Sequence, residues 1–409
     1  MKNRTTLMLC CILSVTSAFS QIAEGYYRIC NYATERYIYI VDNKCNTPIP
    51  SDLSDAAIGR ILDQGVDFGS IVLYTNHEKT ISNASSILYI SRKEGSTGDE
   101  GYNIAGQDIS TYKLLKQYFN IKKNLQNGQY SPYMDIKSYG TQYLFDREAT
   151  FELEKGIIDI KQTVNIPQGC KYKAIDFRSW IFEPLDAETD NYFGIAPTIQ
   201  SEGKLYAPFF TGFPFKTKSN GMKVYIVTKI ENGVAVMKEL ADGIVPAATP
   251  VIIECSSSKP SENRLEFVKD KSAAPSNNIL KGVYYSYVKY KHNNYVAYSK
   301  NNMRVLGLTK DGKLGLVTSA DMVNLPANSS YLQLSGSNIN SEYMLMTETE
   351  YNEYLEELIR ADANKTLQEI KPFVVYSILG TVVNSCCYST DELENGIYII
   401  EGKKVIVTR

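Results

Sequence analysis

"VYIVTKIENGVAVM", running from Val224 to Met237, decides the class of fold. Two β-branched and aromatic runs, Val224-Tyr225-Ile226-Val227-Thr228 and Val234-Ala235-Val236-Met237, flank Glu231-Asn232-Gly233. Asn-Gly between such runs is the strongest short hairpin signal, because both residues accept the positive φ of a tight turn. The same grammar recurs outward along the chain. Leu306-Gly307-Leu308 and Leu314-Gly315-Leu316-Val317 flank Asp311-Gly312, and Ile397–Ile400 and Lys404–Val407 flank Glu401-Gly402-Lys403. Tyr26–Cys30 precedes Tyr37–Val41, and Ser70–Tyr74 and Ile87–Ile90 read as further strands. Helical periodicity is confined to Asp55–Leu62, Thr111–Phe119 and Thr349–Ile370, the last a solvated connecting helix rich in Glu, Leu and Ala. The expected class is mainly β.

Composition supports a packed core. Apolar residues make up 44% and charged residues 22%, ordinary globular material. Tyrosine is abundant at 31 against one tryptophan, and tyrosine favours strands while offering an apolar ring with a polar tip. Residues 1–20 carry Lys2 and Arg4, an apolar stretch from Leu7 to Leu13, then Ala18-Phe19-Ser20. That order is a secretory signal peptide cleaved between Ser20 and Gln21. Its apolar stretch falls short of the roughly 20 residues a spanning helix needs, and no later stretch reaches that length. The expectation is an exported protein at the cell surface or outside, or in the periplasm where no translocon exists. Removing Lys2 and Arg4 leaves 41 cations against 45 acids, a net charge of −4. No basic run offers a grip to nucleic acid or to an anionic membrane.

The chemistry-bearing residues are sparse. His77 and His292 sit in polar loop contexts without a metal or triad pattern, and no Gly-x-Ser-x-Gly or His-Glu-x-x-His occurs. Cys170 is the one thiol in a suggestive loop. Cys30 and Cys45 either close a short disulfide loop or are small buried apolar residues. Asp186-Ala187-Glu188-Thr189-Asp190-Asn191 alternates oxygen ligands as a calcium loop would, but lacks the central glycine and distal glutamate. It reads as a solvated linker, and no metal or cofactor is expected. Gly95–Gly101 neither follows a clear strand nor opens a helix, so it is no phosphate cradle. Aromatic surface remains. Sugars stack their CH faces on such rings, and alternation along a strand turns one member of each pair outward. Tyr27, Tyr37 and Tyr39 are the ligand candidates, against a reading as sheet and core filler, and Trp180 is a core residue.

Three resemblances divide the chain. "GYYRICNYATERYIYIVDN" (Gly25–Asn43) resembles the opening unit of a β-trefoil, and "SWIFEPLD" (Ser179–Asp186) resembles a closing trefoil strand. "YAPFFTGFPFKTKSNGMKVYIVTKIENG" (Tyr206–Gly233) resembles a surface β-domain of secreted Bacteroidota proteins, whose implied fold is an antiparallel sandwich. The match extends over Leu205–Leu334, and after the quoted stretch Val245-Pro246-Ala247-Ala248-Thr249-Pro250-Val251-Ile252-Ile253 is echoed by Leu325-Pro326-Ala327-Asn328-Ser329-Ser330-Tyr331-Leu332-Gln333. "VVYSILGTVV" (Val374–Val383) followed by Glu394–Arg409 resembles the C-terminal sorting domain of type IX secretion cargo, at Tyr376, Gly380, Val383, Gly396, Ile397, Tyr398, Lys404 and Val405. The vicinal Cys386-Cys387 departs from that pattern. The expected order is a signal peptide (1–20), a trefoil-like domain (21–186), a β-sandwich domain (187–340), a helical linker (341–372) and a sorting domain (373–409). The resemblances imply a non-catalytic surface binding protein for carbohydrate or a host glycoprotein, with secretion machinery as a second partner through the tail. A carboxylate-dependent hydrolase and a purely structural surface protein are the alternatives.

Overall fold

The computed structural model describes residues 21–42, 72–76, 79–107, 120–136, 140–146, 155–161, 166, 168–241, 243–285, 296–336, 339–369, 373–387 and 389–408. The signal peptide, the helices expected at Asp55–Leu62 and Thr111–Phe119, Cys45 and both histidines lie outside them. The class is mainly β. The chain forms two compact units, Met1–Leu345 and Met346–Arg409.

In the first unit, seven strands close into a ring. Its order is Gly25–Asn31, Tyr37–Asp42, Val72–Asn76, Lys155–Lys161, Gly140–Asp146, Tyr130–Ile136 and Trp180–Pro184, and the last pairs back to Gly25–Asn31. Every pairing is antiparallel. Trp180, Ile29, Ile38, Leu88, Ile90 and Leu144 fill the interior, and the Trp180 indole N–H donates to the Leu144 carbonyl at 3.0 Å. That bond satisfies the one polar atom on an otherwise apolar plug. A buried ion pair pins the first hairpin to the ring: Arg36 bonds Asp146 at 2.9 Å, both side chains fully buried, and Thr34 donates to the same carboxylate.

A second ten-stranded sheet follows, with a four-stranded sheet (Phe193–Gly194, Arg264–Phe267, Phe215–Thr217, Ile244–Val245) beside it. Alternate residues of the strand Lys223–Glu231 serve two cores. Val224 and Ile226 pack with Phe193, Phe213 and Phe267, while Tyr225 and Val227 pack with Leu306, Leu316 and Leu332. Burial on both faces explains the unbroken apolar run in the sequence. The turn Asn232-Gly233 has φ 49° and 77° between the paired Glu231 and Val234, the two-residue turn that Asn-Gly predicts. The Pro-Ala echo is real in three dimensions. Ala248 and Asn328, 80 positions apart, both adopt left-handed φ (57° and 54°), and Ser330 of one copy donates to the Val251 carbonyl of the other at 2.7 Å.

The boundary expected at Asp186–Asn191 lies inside this unit, and two buried polar knots cross it. Arg28, fully buried, donates to Asn191 Oδ1 at 2.7 Å, to the Tyr192 carbonyl at 2.9 Å and to the carbonyls of Thr80 and Ile81. Burial lowers its pKa to about 10. Asn328 accepts from the Ala84 N–H at 2.9 Å, and donates to Gln107 Oε1 at 2.6 Å and to the Phe210 carbonyl at 3.1 Å. Ala84 and Ile87 are themselves members of the second-sheet core. The two halves are therefore one packed body, not two domains on a solvated linker.

In the second unit the helix expected over Thr349–Ile370 runs Glu348–Glu369. Thr347 and Glu350 cap it reciprocally: the Glu350 carboxylate accepts the Thr347 N–H at 2.7 Å, and the Thr347 hydroxyl accepts the Glu350 N–H at 3.3 Å. The strand Glu342–Thr347, placed by sequence in the linker, pairs instead with Leu314–Val317. Four antiparallel strands then form the terminal sheet, ordered Val382–Cys387, Phe373–Ser377, Gly396–Ile400, Lys403–Val407. Its closing turn, Glu401-Gly402, has φ 49° and 76° between the paired Ile400 and Lys403.

Candidate functional site

The three candidate tyrosines have three different fates. Tyr27 is 7% exposed, edge-on to Phe182 in the ring core, with its hydroxyl donating to the Ala23 carbonyl at 2.8 Å. It is core, which corrects its reading as a ligand contact. Tyr37 is half-buried and donates to Glu183 at 3.2 Å, and Lys79 bonds the same carboxylate at 3.0 Å. The Tyr39 side chain lies outside the described residues. Alternation along the first strand holds, but the outward member is Tyr26. Its ring centre lies 4.8 Å from Tyr89, 5.1 Å from Phe213 and 5.3 Å from Phe267.

Tyr26 floors a cleft of about 360 Å³ on the seam between the two halves of the first unit. Leu185, Leu265 and Phe267 complete an apolar base, and Asp186, Glu188, Lys218 and Glu266 stand around it. Burial pushes the Tyr26 hydroxyl up to about 12, and it donates to the Val268 carbonyl at 3.0 Å. The rim is the segment that the sequence offered as a calcium loop. Asp186 Oδ1 accepts the Glu188 N–H at 2.9 Å, and Arg264 holds the loop from below through the carbonyls of Ala187 (2.6 Å) and Thr189 (3.2 Å). The Asp186 carboxylate is thus committed to the loop's own backbone. Across the cleft Lys218 pairs with Glu188 at 3.0 Å and with Glu266 at 3.9 Å, and these bonds raise the lysine's pKa. An apolar floor under a ring of exposed charge offers an apolar surface below and hydrogen-bonding groups at the rim.

Among the thiols, Cys30 is free and buried, and burial pushes its pKa up to about 12, which disfavours the thiolate. Cys170 is half-buried against the small core around Phe145 and Phe177. Among the described residues no group of three His, Cys, Asp or Glu side chains could hold a metal ion.

The tail residues divide between two faces of the terminal sheet. Tyr398 and Val405 pack against a small core of Val375, Cys387, Leu393 and Ile400, while Lys404 is exposed. Gly380 takes φ 82° at the tip of the first hairpin. A side chain at Gly396 would meet the Tyr398 ring at 3.0 Å. Tyr376 and Ile397 lie on the opposite face, which is open. Tyr376 pairs with Val382 and Ile397 with Ile406, and all four are exposed, as are Ile378, Leu379 and Val383.

No family model matches this chain, and no curated protein matches it. A solved structure described as a mosquitocidal holotoxin aligns with 79% of this chain and 46% of its own at 10% identity, with a TM-score of 0.23. This chain spans about half of that structure's length, and a likeness this weak carries no argument.

Proposed function

We propose that this is an exported, non-catalytic binding protein of the cell surface or extracellular space, with carbohydrate as its ligand. The single observation carrying this reading is the Tyr26 cleft, whose apolar floor matches the CH face of a sugar ring and whose Glu188–Lys218–Glu266 rim matches its hydroxyls. The strand ring with its appended hairpins is read as a divergent trefoil-like module, and the paired sheets after it as a sandwich. The terminal sheet is read as a sorting element addressed to secretion machinery. Its open apolar face supports a role in docking, since exposed contiguous apolar surface marks an interaction site.

The test is binding of the purified chain to an array of neutral oligosaccharides. Lys218→Ala and Glu188→Gln change side chains that are 41% and 71% exposed, so the fold should stand, and Trp180 emission checks it. Binding lost in both variants supports the reading. Turnover of an oligosaccharide by the parent, abolished by Glu188→Gln or Glu266→Gln, replaces it with a hydrolase. Array binding unchanged in both variants, or absent from the parent, removes it.

A further inference from the structure

Away from the cleft, at one end of the strand ring, a second surface joins cations to tyrosines. The Arg178 guanidinium carbon lies 3.8 Å from the centre of the Tyr143 ring, stacked on its face. Lys122 donates to the Tyr143 hydroxyl at 3.0 Å and lies 4.9 Å from the centre of the Tyr133 ring. Tyr133 and Tyr143 are 5.8 Å apart, and Tyr172 packs beside Tyr143 on the core of Phe145 and Phe177, edge-on to Tyr32 at 6.2 Å. Arg178, Lys122 and the four tyrosines Tyr32, Tyr133, Tyr143 and Tyr172 are half-buried, and Lys171 and Lys173 add exposed cations beside them.

Tyr172 and, more weakly, Glu35 lie close enough to the exposed Lys171 to raise its pKa, but the two half-buried cations are not paired in this way. Neither Lys122 nor Arg178 forms an ion pair among the described residues, and Arg178 Nε has no hydrogen-bond acceptor. The nearby carboxylate of Asp176 is engaged elsewhere, accepting from the Lys173 N–H at 2.8 Å and from Asn127 at 3.0 Å. In a chain that is acidic overall, two half-buried cations held against one ring, with no ion-pair partner among the described residues, make a local anion site. The two cations lie 3.8 and 5.1 Å from the same ring centre, so they can address one acidic group or two on neighbouring sugars.

We propose that this surface binds acidic polysaccharide, with Arg178 and Lys122 taking the carboxylate or sulfate and the tyrosines stacking on the sugar rings. Nucleic acid is the weaker fit, because a phosphate backbone needs a longer track of cations than this compact cluster supplies. The proposal extends the carbohydrate reading to a second surface and a charged ligand class, but does not use the Tyr26 cleft.

The test measures affinity of the full mature chain for chondroitin sulfate, hyaluronan and neutral dextran, with single-stranded DNA as a further arm. Chondroitin sulfate without hyaluronan assigns sulfate as the recognised group, and hyaluronan with it assigns the carboxylate. Losing one charge-assisted contact predicts affinity weaker by roughly tenfold or more for Lys122→Gln and for Arg178→Gln. Lys122→Gln breaks no ion pair, so it keeps the test valid if Arg178→Gln unfolds. Lys218→Ala at the cleft should leave this binding unchanged, so the failure of one site is separable from the failure of the other. Dextran binding equal to the acidic polymers, DNA binding that exceeds both, no binding to either acidic polymer, or unaltered affinity in Lys122→Gln overturns the proposal.

Discussion

Replacing Asn328 with Ala tests whether the two halves of the first unit fold as one. Asn328 is 5% exposed at a left-handed φ of 54°, and its side chain makes three hydrogen bonds to Ala84, Gln107 and Phe210. Truncation orphans three buried partners at roughly 1–3 kcal/mol each, and places Ala in a left-handed conformation costing about 1–2 kcal/mol more. Water entering the vacated space recovers part of this, and single substitutions seldom exceed about 4–5 kcal/mol, so roughly 4 kcal/mol is expected. In a unit of this size that lowers the melting temperature by roughly 8–16 °C. Asn328→Gly separates the contributions. It removes the same bonds but relieves the backbone, so it should lose a little less than Ala, by at most about 1 kcal/mol. The assay follows unfolding by far-ultraviolet circular dichroism and by Trp180 emission, whose lone buried indole reports the strand ring alone. Because the knot joins ring to second sheet, the two probes should melt together in the parent. Separate transitions in the parent, or an Asn328→Ala melting point within about 2 °C of it, would refute the reasoning and restore a domain boundary near Asp186.

Three further outcomes are expected. Asp146→Asn leaves the Arg36 guanidinium buried and half-paired, so it should cost about 3–5 kcal/mol by chemical denaturation, and a loss below about 1 kcal/mol would mean that solvent reaches the pair. Tyr26 keeps its proton to about pH 12 when folded, whereas an unfolded tyrosine ionises near 10, so its contribution is complete below pH 10 and fades as pH rises towards 12. The melting-temperature difference between parent and Tyr26→Phe should therefore be flat below pH 10 and shift in the variant's favour above it, and a flat difference throughout counts against the burial of Tyr26. Deleting residues 374–409 removes a sheet with its own small core, so the first unit should melt within about 2 °C of the parent. In a host with the translocon the same deletion should abolish surface display, and a large stability loss with unchanged localisation would sink the sorting reading.

Local rules made much of the architecture legible. Asn232-Gly233 and Glu401-Gly402 announced their turns because few residue pairs accept two successive positive φ angles. The helix after Thr347 was readable from periodicity alone. Trp180 as core and the Pro-Ala echo were legible too, since both are local patterns of large apolar or turn-forming residues. What the sequence could not decide was which side of a strand meets which neighbour. Tyr26 and Tyr27 are adjacent and chemically identical, yet one enters the ring core and the other floors a cleft made by Leu185 and Phe267 from beyond residue 180. Arg28, Gln107 and Asn328 looked like ordinary polar positions, but they knit segments up to 244 residues apart. Arg178, in the turn before Trp180–Pro184, and Lys122, on a strand Asn120–Lys123 paired to Tyr130–Ile136, likewise meet at Tyr143 only through tertiary structure. Turn conformation is set within four residues, so sequence alone determined it. Burial of a side chain depends on surfaces arriving from distant segments, and that was decided only by the tertiary structure.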